Sequence, residues 1–114
     1  MTNITLFWGD SNGEKRLVGL ESKGHSGFSA EGEDVVCAAV SSLIQALIIG
    51  LRDVACLADE DIVCKIDNSV PLIRVKWKNE RAPEIKLLTQ TMALSLKEIA
   101  SVYSDYVCIW EVYS

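Results

Sequence analysis

Histidine is nearly missing from this 114-residue chain, which has one, His25, against four cysteines. A single imidazole cannot complete a Cys/His zinc set, and Cys37, Cys56, Cys64 and Cys108 contain no Cys-x-x-Cys pair, so no metal and no cofactor are expected. Positive charge is also scarce. Eleven Lys and Arg face sixteen Asp and Glu, for a net charge of −5. That balance excludes a phosphate-tracking surface and hence direct nucleic acid binding, but it suits a basic partner. Long hydrophobic runs are absent too: Val40 to Leu51 is short and interrupted by Ser41, Ser42, Gln45 and Gly50. The N-terminus carries no basic segment ahead of an apolar stretch, so neither a leader nor a membrane span is expected. The expected setting is cytoplasmic, where all four cysteines would be free thiols. Cys64 and Cys108 fall in strand-like segments and read as small buried apolar residues.

What is present suffices for one core. At 114 residues and 49% hydrophobic composition the chain reads as a single domain, residues 1–114. Asn3 to Trp8 and Lys15 to Glu21 read as strands joined across the turn signal Asp10-Ser11-Asn12-Gly13. A glycine-bearing loop follows, then an apolar helix from Asp34 reaching to about Leu57. Asp59-Glu60-Asp61 marks a break, and Ile62 to Ile66 and Leu72 to Trp77 form a second pair of strands. Pro83 and Glu84 open a second helix, in which Ile85, Leu88, Met92, Leu96 and Ile99 recur along one face. Tyr106 to Tyr113 is a terminal strand. The order β-β-α-β-β-α-β predicts an α+β, two-layer fold with two helices packed on one face of a mixed sheet.

Chemistry concentrates between Gly24 and Ser41. A free thiol is mostly protonated near neutrality and needs a base, a cation or a helix N-terminus to become nucleophilic. Cys37 lies in the first or second turn of the apolar helix, where unpaired N–H groups favour negative charge. Gly24, Gly27 and Gly32 would let the loop carrying His25 fold back over it. The helix from Asp34 to Leu51 is almost all apolar, so most of its circumference is expected to be buried. At about 100° per residue Asp34, Ser41 and Gln45 share a narrow arc, with Cys37 about 60° from Asp34. His25 and Cys37 therefore read as a nucleophile and its general base and acid. The loop from Gly24 to Glu33 reads as a flap that orders over an extended peptide.

Gly24-His25 followed by Gly32-x-Asp34-Val35-Val36-Cys37-Ala38-Ala39-Val40-Ser41 closely resembles the signature of the bacterial ribosomal-processing cysteine protease family, Prp. The resemblance implies a homodimeric endopeptidase whose substrate is the N-terminal extension of a large-subunit ribosomal protein, cut after an aromatic residue. By position it implies that His25 is the catalytic histidine and Cys37 the nucleophile. Gly24, Ser26, Gly27, Phe28 and Gly32 would form the substrate loop, with Ser26 where the family commonly has alanine and Phe28 where it has tyrosine.

Asp34 and Ser41 match signature positions of supporting character. Asp34 would either orient His25 as a third catalytic member or complement the charge of the helix start. Ser41 reads as structural, bonding back to the Cys37 carbonyl. The excess apolar circumference of the first helix independently points to a partner surface, hence a homodimer. Two other classes remain open: a non-catalytic ribosome-associated binding module, and a redox-sensing thiol protein.

Overall fold

The computed structural model describes residues 1–24, 31–67, 69 and 71–114, with the backbone alone at Ser11 and at residues 31–34. Its elements are β1 (Thr2–Ser11), β2 (Glu14–Lys23), α1 (Glu31–Ile49), β3 (Ile62–Asp67), β4 (Leu72–Trp77), α2 (Pro83–Val102) and β5 (Val107–Tyr113). The five strands form one sheet in the order β3-β4-β2-β1-β5. β5 runs parallel to β1 and the other neighbours are antiparallel, which makes the sheet mixed as expected.

Local signals account for most boundaries. The first turn narrows to Asn12-Gly13, both at positive φ (54° and 78°), and Ser11 pairs with Glu14 across it. Two left-handed residues give the twist that a tight hairpin needs, and the Asp10 carboxylate accepts the Gly13 N–H at 2.9 Å. Pro83 stands at the first position of α2, where its missing N–H costs nothing.

The core lies between the helices and one face of the sheet. Ile4 and Leu6 of β1, Leu17 and Leu20 of β2 and Val75 of β4 meet Val36, Val40, Ile44, Leu47 and Leu51 of the first helical segment and Ile85, Met92 and Leu96 of α2. Trp77 is buried with them, and its indole N–H donates to the Leu17 carbonyl at 3.0 Å, so the ring's one polar atom is satisfied.

α1 differs from expectation in three ways. Its regular turns stop at Ile49 and continue as a π-helical turn, Gly50–Val54, with the Ala55 N–H donating to the Gly50 carbonyl at 2.8 Å. Cys56, at φ 58°, then takes the left-handed conformation that ends the segment. Apolar periodicity carries no mark of that change in winding. Second, burial is confined to one stripe, while Val35 and Ile49 stay at least half exposed and Ala38, Ala39, Ser42 and Ala46 are exposed. Third, Val35–Val54, with a mean hydropathy of 2.0, is long and apolar enough to cross a bilayer, although Val40–Leu51 had seemed too short. Its buried stripe serves instead as the spine of the core.

Cys64 is also exposed, on edge strand β3, and Cys56 is exposed, whereas Cys108 is half-buried; all four cysteines are free thiols. Alternation on an edge strand does not decide which face is covered, hence the wrong expectation for Cys64.

Edge strand β5 is tied to the layer above it by Glu111. Lys97 of α2 donates to its carboxylate at 2.7 Å, Trp8 of β1 at 3.2 Å and Tyr113 at 3.3 Å. The Lys97 hydrogen bond holds the Glu111 carboxyl below the usual glutamate range, outweighing the partial desolvation that pushes it up. A lowered folded-state value stabilises the fold above the unfolded carboxyl range, and this contribution is lost as pH falls through the folded value. Glu111→Gln should therefore cost about 0.5–1 kcal/mol at pH 7, with the difference from wild type shrinking as the pH falls through the folded value. Urea unfolding at pH 7 and pH 3 checks both halves, and an equal deficit at the two values would assign the loss to packing.

Candidate active site

Cys37 is the seventh residue of α1, one helical position beyond buried Val36. That offset turns its half-buried side chain away from the core centre and toward a cavity of about 350 Å³. Ser41 and Gln45, one and two turns further along, line the same cavity. The polar stripe read from the sequence is thus one wall of a real site. Back-bonds of the kind expected at Ser41 are made on α2, where Thr89, Thr91 and Ser95 donate to carbonyls four residues earlier.

The other walls come from distant parts of the chain. Thr2 opens β1, Ser22 lies near the end of β2 with Gly24 just beyond it, and Ile66 and Asp67 meet Pro71, Leu72 and Ile73 at the facing ends of β3 and β4. Gly24 joins two of these walls, because its N–H donates to the Pro71 carbonyl at 2.9 Å. It does so at φ +87°, where a Cβ would also stand 3.0 Å from the Met1 carbonyl oxygen. Any other residue would be strained and crowded there.

The cavity has a polar side and an apolar side. Ile66, Leu72, Ile73 and Pro71 offer an apolar lip facing the serines, Gln45 and the sulfur. At one end Asp67 folds inward on its own turn, accepting from the Ser69 amide at 3.0 Å and the Ser69 hydroxyl at 2.7 Å. Such an arrangement suits an extended peptide with an apolar side chain against the lip and its backbone along the polar wall.

Thr2 is the part of the site that sequence reading missed. Its hydroxyl lies 3.2 Å from the Cys37 sulfur and donates to the Gly24 carbonyl at 3.4 Å. A sign was available: Thr2, Ile4 and Leu6 share one parity along β1, and a hydroxyl in an otherwise aliphatic row needs a buried partner. The apolar lip gave no such sign, because Ile66 to Ile73 read only as two strands and their turn.

His25, Ser26, Gly27 and Phe28 lie outside the described residues, as does the Asp34 side chain, and with them the middle of the expected flap. Its end is corrected: α1 begins at Glu31, not Asp34, so Gly32 and Glu33 lie in the first turn of the helix, where their N–H groups are those left free at a helix start. Among the sequence-derived site residues, Gly24, Cys37 and Ser41 meet at the cavity.

Comparison with known proteins bears on this geometry. A family profile described as cysteine protease Prp matches residues 1–108. A ribosomal processing cysteine protease Prp from Mycoplasma genitalium is 30% identical over 92 residues, covering 81% of this chain and 86% of the relative. Among solved structures, SMU.848 from Streptococcus mutans superposes with a TM-score of 0.83 at 22% identity, covering 100% of this chain and 99% of the other. An essential ribosomal processing protease Prp from S. aureus, in complex with a substrate peptide, gives 0.76 at 20% identity over 97% and 99%. At these identities the superpositions establish a shared fold.

If the cavity is the route to the sulfur, filling it should shield Cys37 alone. Ser41→Phe is expected to slow N-ethylmaleimide labelling of Cys37 about tenfold while leaving exposed Cys56 and Cys64 unchanged. Peptide-resolved mass spectrometry reads all three sites, and undiminished labelling at Cys37 would place the route elsewhere.

Proposed function

Because the chain belongs to the cysteine protease Prp family, we propose that it is the endopeptidase that removes the N-terminal extension of a large-subunit ribosomal protein, with Cys37 as nucleophile and His25 as general base and acid. The observation that carries this reading is the placement of the Cys37 sulfur in the second turn of a helix, facing a peptide-sized cavity. The name of the M. genitalium relative supplies ribosomal processing, and the acidic balance of the chain suits a basic ribosomal substrate. Such work belongs in the cytoplasm.

The reaction is acyl transfer. Cys37 loses its proton to His25, and the sulfur attacks the scissile carbonyl carbon, whose π electrons move to oxygen. Backbone N–H groups near the start of α1 receive the oxyanion. Collapse breaks the C–N bond, and the leaving amine takes the proton from imidazolium. Water then attacks the thioester while His25 accepts its proton, and the C–S bond breaks to release the new carboxylate and restore the thiol. Asp34 belongs beside this chemistry, either orienting His25 or complementing the helix start. Ser26, Gly27 and Phe28, between Gly24 and the helical Gly32, supply contacts to the substrate.

A peptide spanning the extension of the cognate ribosomal protein tests the assignment. His25→Ala and Cys37→Ser should each lower kcat/KM by at least about a thousandfold, with peptide binding retained in Cys37→Ser. Undiminished turnover by either variant would sink the assignment of that residue, and a wild-type protein that leaves the peptide uncut would return the chain to a non-catalytic binding or redox role.

A homodimer is part of the same proposal. Val35, Ala39, Ser42, Ala46 and Ile49 follow a four-three spacing along α1, on the side away from its buried stripe, and all are exposed. Small residues at the middle of that row allow a second helix to approach closely, and the large apolar ends need cover. Ala46→Glu should convert the dimer to a monomer in sedimentation velocity without loss of helicity. A wild-type protein that sediments as a monomer at all concentrations tested would sink this part.

A further inference from the structure

The hydroxyl of Thr2 touches the sulfur of Cys37 at 3.2 Å and reaches the Gly24 carbonyl at 3.4 Å, on a residue only 2% exposed. The strand holds it there firmly. The Thr2 N–H donates to the Tyr106 carbonyl at 2.9 Å, and Thr2 pairs with Val107 at the start of the parallel β1–β5 ladder. Gly24 is fixed in turn by its own N–H bond to Pro71. The three atoms form a short chain, carbonyl to hydroxyl to sulfur, sealed from water on the Thr2 side.

A hydroxyl has one proton to give and two lone pairs to offer. With Cys37 as a thiol, the Thr2 oxygen can accept S–H while donating to Gly24. With Cys37 as a thiolate, the sulfur has no proton to give and becomes the stronger acceptor, so the hydroxyl proton turns to it and leaves the longer bond to Gly24. Valine would fill nearly the same space with no such response.

We propose that Thr2 is a positioning residue for Cys37, whose hydroxyl holds the sulfur toward the cavity and stabilises its thiolate by exchanging its hydrogen bond between Gly24 and Cys37. The proposal rests on Cys37 being the nucleophile. It adds that the first strand, as well as the helix, prepares the sulfur, and that the preparation reaches the residue immediately before His25. When the sulfur is acylated it becomes a poor acceptor and the hydroxyl returns to Gly24. Thr2 thus assists the thiolate and releases the sulfur once it is acylated.

The test compares Thr2→Val, which removes the hydroxyl at nearly constant volume, with Thr2→Ser, which retains it. The first readout is the rate of iodoacetamide alkylation at Cys37 against pH, resolved by peptide mass spectrometry and independent of proteolysis. Thr2→Val should move the half-maximal pH upward by about half to one unit, while Thr2→Ser tracks wild type. The second is cleavage of the extension peptide, in which Thr2→Val should lower kcat about three- to tenfold at pH 7 with KM unchanged. A Thr2→Val profile superimposable on wild type, or a Thr2→Ser profile displaced as far as that of Thr2→Val, overturns the proposal. If instead Cys37→Ser cleaved normally, Cys37 would not be the nucleophile, while the alkylation profiles still decided the hydroxyl contact.

Discussion

The rest of the molecule depends on how α1 lies against the sheet. Val36, Val40, Ile44, Leu47 and Leu51 form a single stripe that sits on Ile4, Leu6, Leu20 and Val75, and fully burying each such side chain contributes roughly 1.5–3 kcal/mol. The helix therefore has one rotational setting. Everything off the stripe is placed as a consequence: Cys37, Ser41 and Gln45 on the flank over the strand ends, and Val35, Ala39, Ser42, Ala46 and Ile49 on the open side. A rotation of one residue would drive the thiol into the aliphatic core and expose Val36. The same contact that packs the core thus sets the direction in which the thiol faces.

α2 supports this arrangement from the side. Gly50 lies where the regular turns of α1 end, and a Cβ there would stand 2.7 Å from Leu88 of α2. The close approach leaves the π-helical turn little room to swing, so the end of the helix remote from the thiol is pinned while its start opens onto the site. Thr89, buried on the inner face of α2, returns its hydroxyl to the Ile85 carbonyl at 2.7 Å and so enters the core without an unpaired polar atom.

How much of this was legible follows from which interactions are local. The hairpin at Asn12-Gly13, the amphipathic face of α2 and the alternating rows of β1 and β4 depend on near neighbours, and all were readable. The catalytic candidates were readable because reactive residue types recur in a characteristic spacing. The exposure of Cys64 and of the open side of α1 was not, because composition cannot say which apolar surface the same chain will cover. The π-helical turn after Ile49 was invisible for a related reason: the chain there packs against Leu88, nearly forty residues away. Thr2 is an intermediate case. Its parity on β1 was plain, but its closeness to Cys37 depends on the helix setting and on the sheet order together.

Sheet order gives the last strand a part in placing Thr2. β5 adds to the free edge of β1 as a parallel strand, Thr2 opposite Val107, and the Tyr106 carbonyl takes the Thr2 N–H. Parallel pairing of a first and last strand closes a loop nearly the length of the chain, so the register is not imposed by a tight turn as it is at Asn12-Gly13. It is imposed by side chains: Val107 and Ile109 pack against the core, Trp110 donates to Asn3 at 3.1 Å, and Glu111 binds Lys97 and Trp8. A slip of one residue in β1 would carry Met1 or Asn3 to the position beside the sulfur and turn Ile4 and Leu6 out of the core. The energetic cost of that slip is far greater than any cost at the site itself, so the strand ends are held in place by the bulk of the fold. A hydroxyl 3.2 Å from a thiol is then maintained at the start of a strand by contacts that lie far from it.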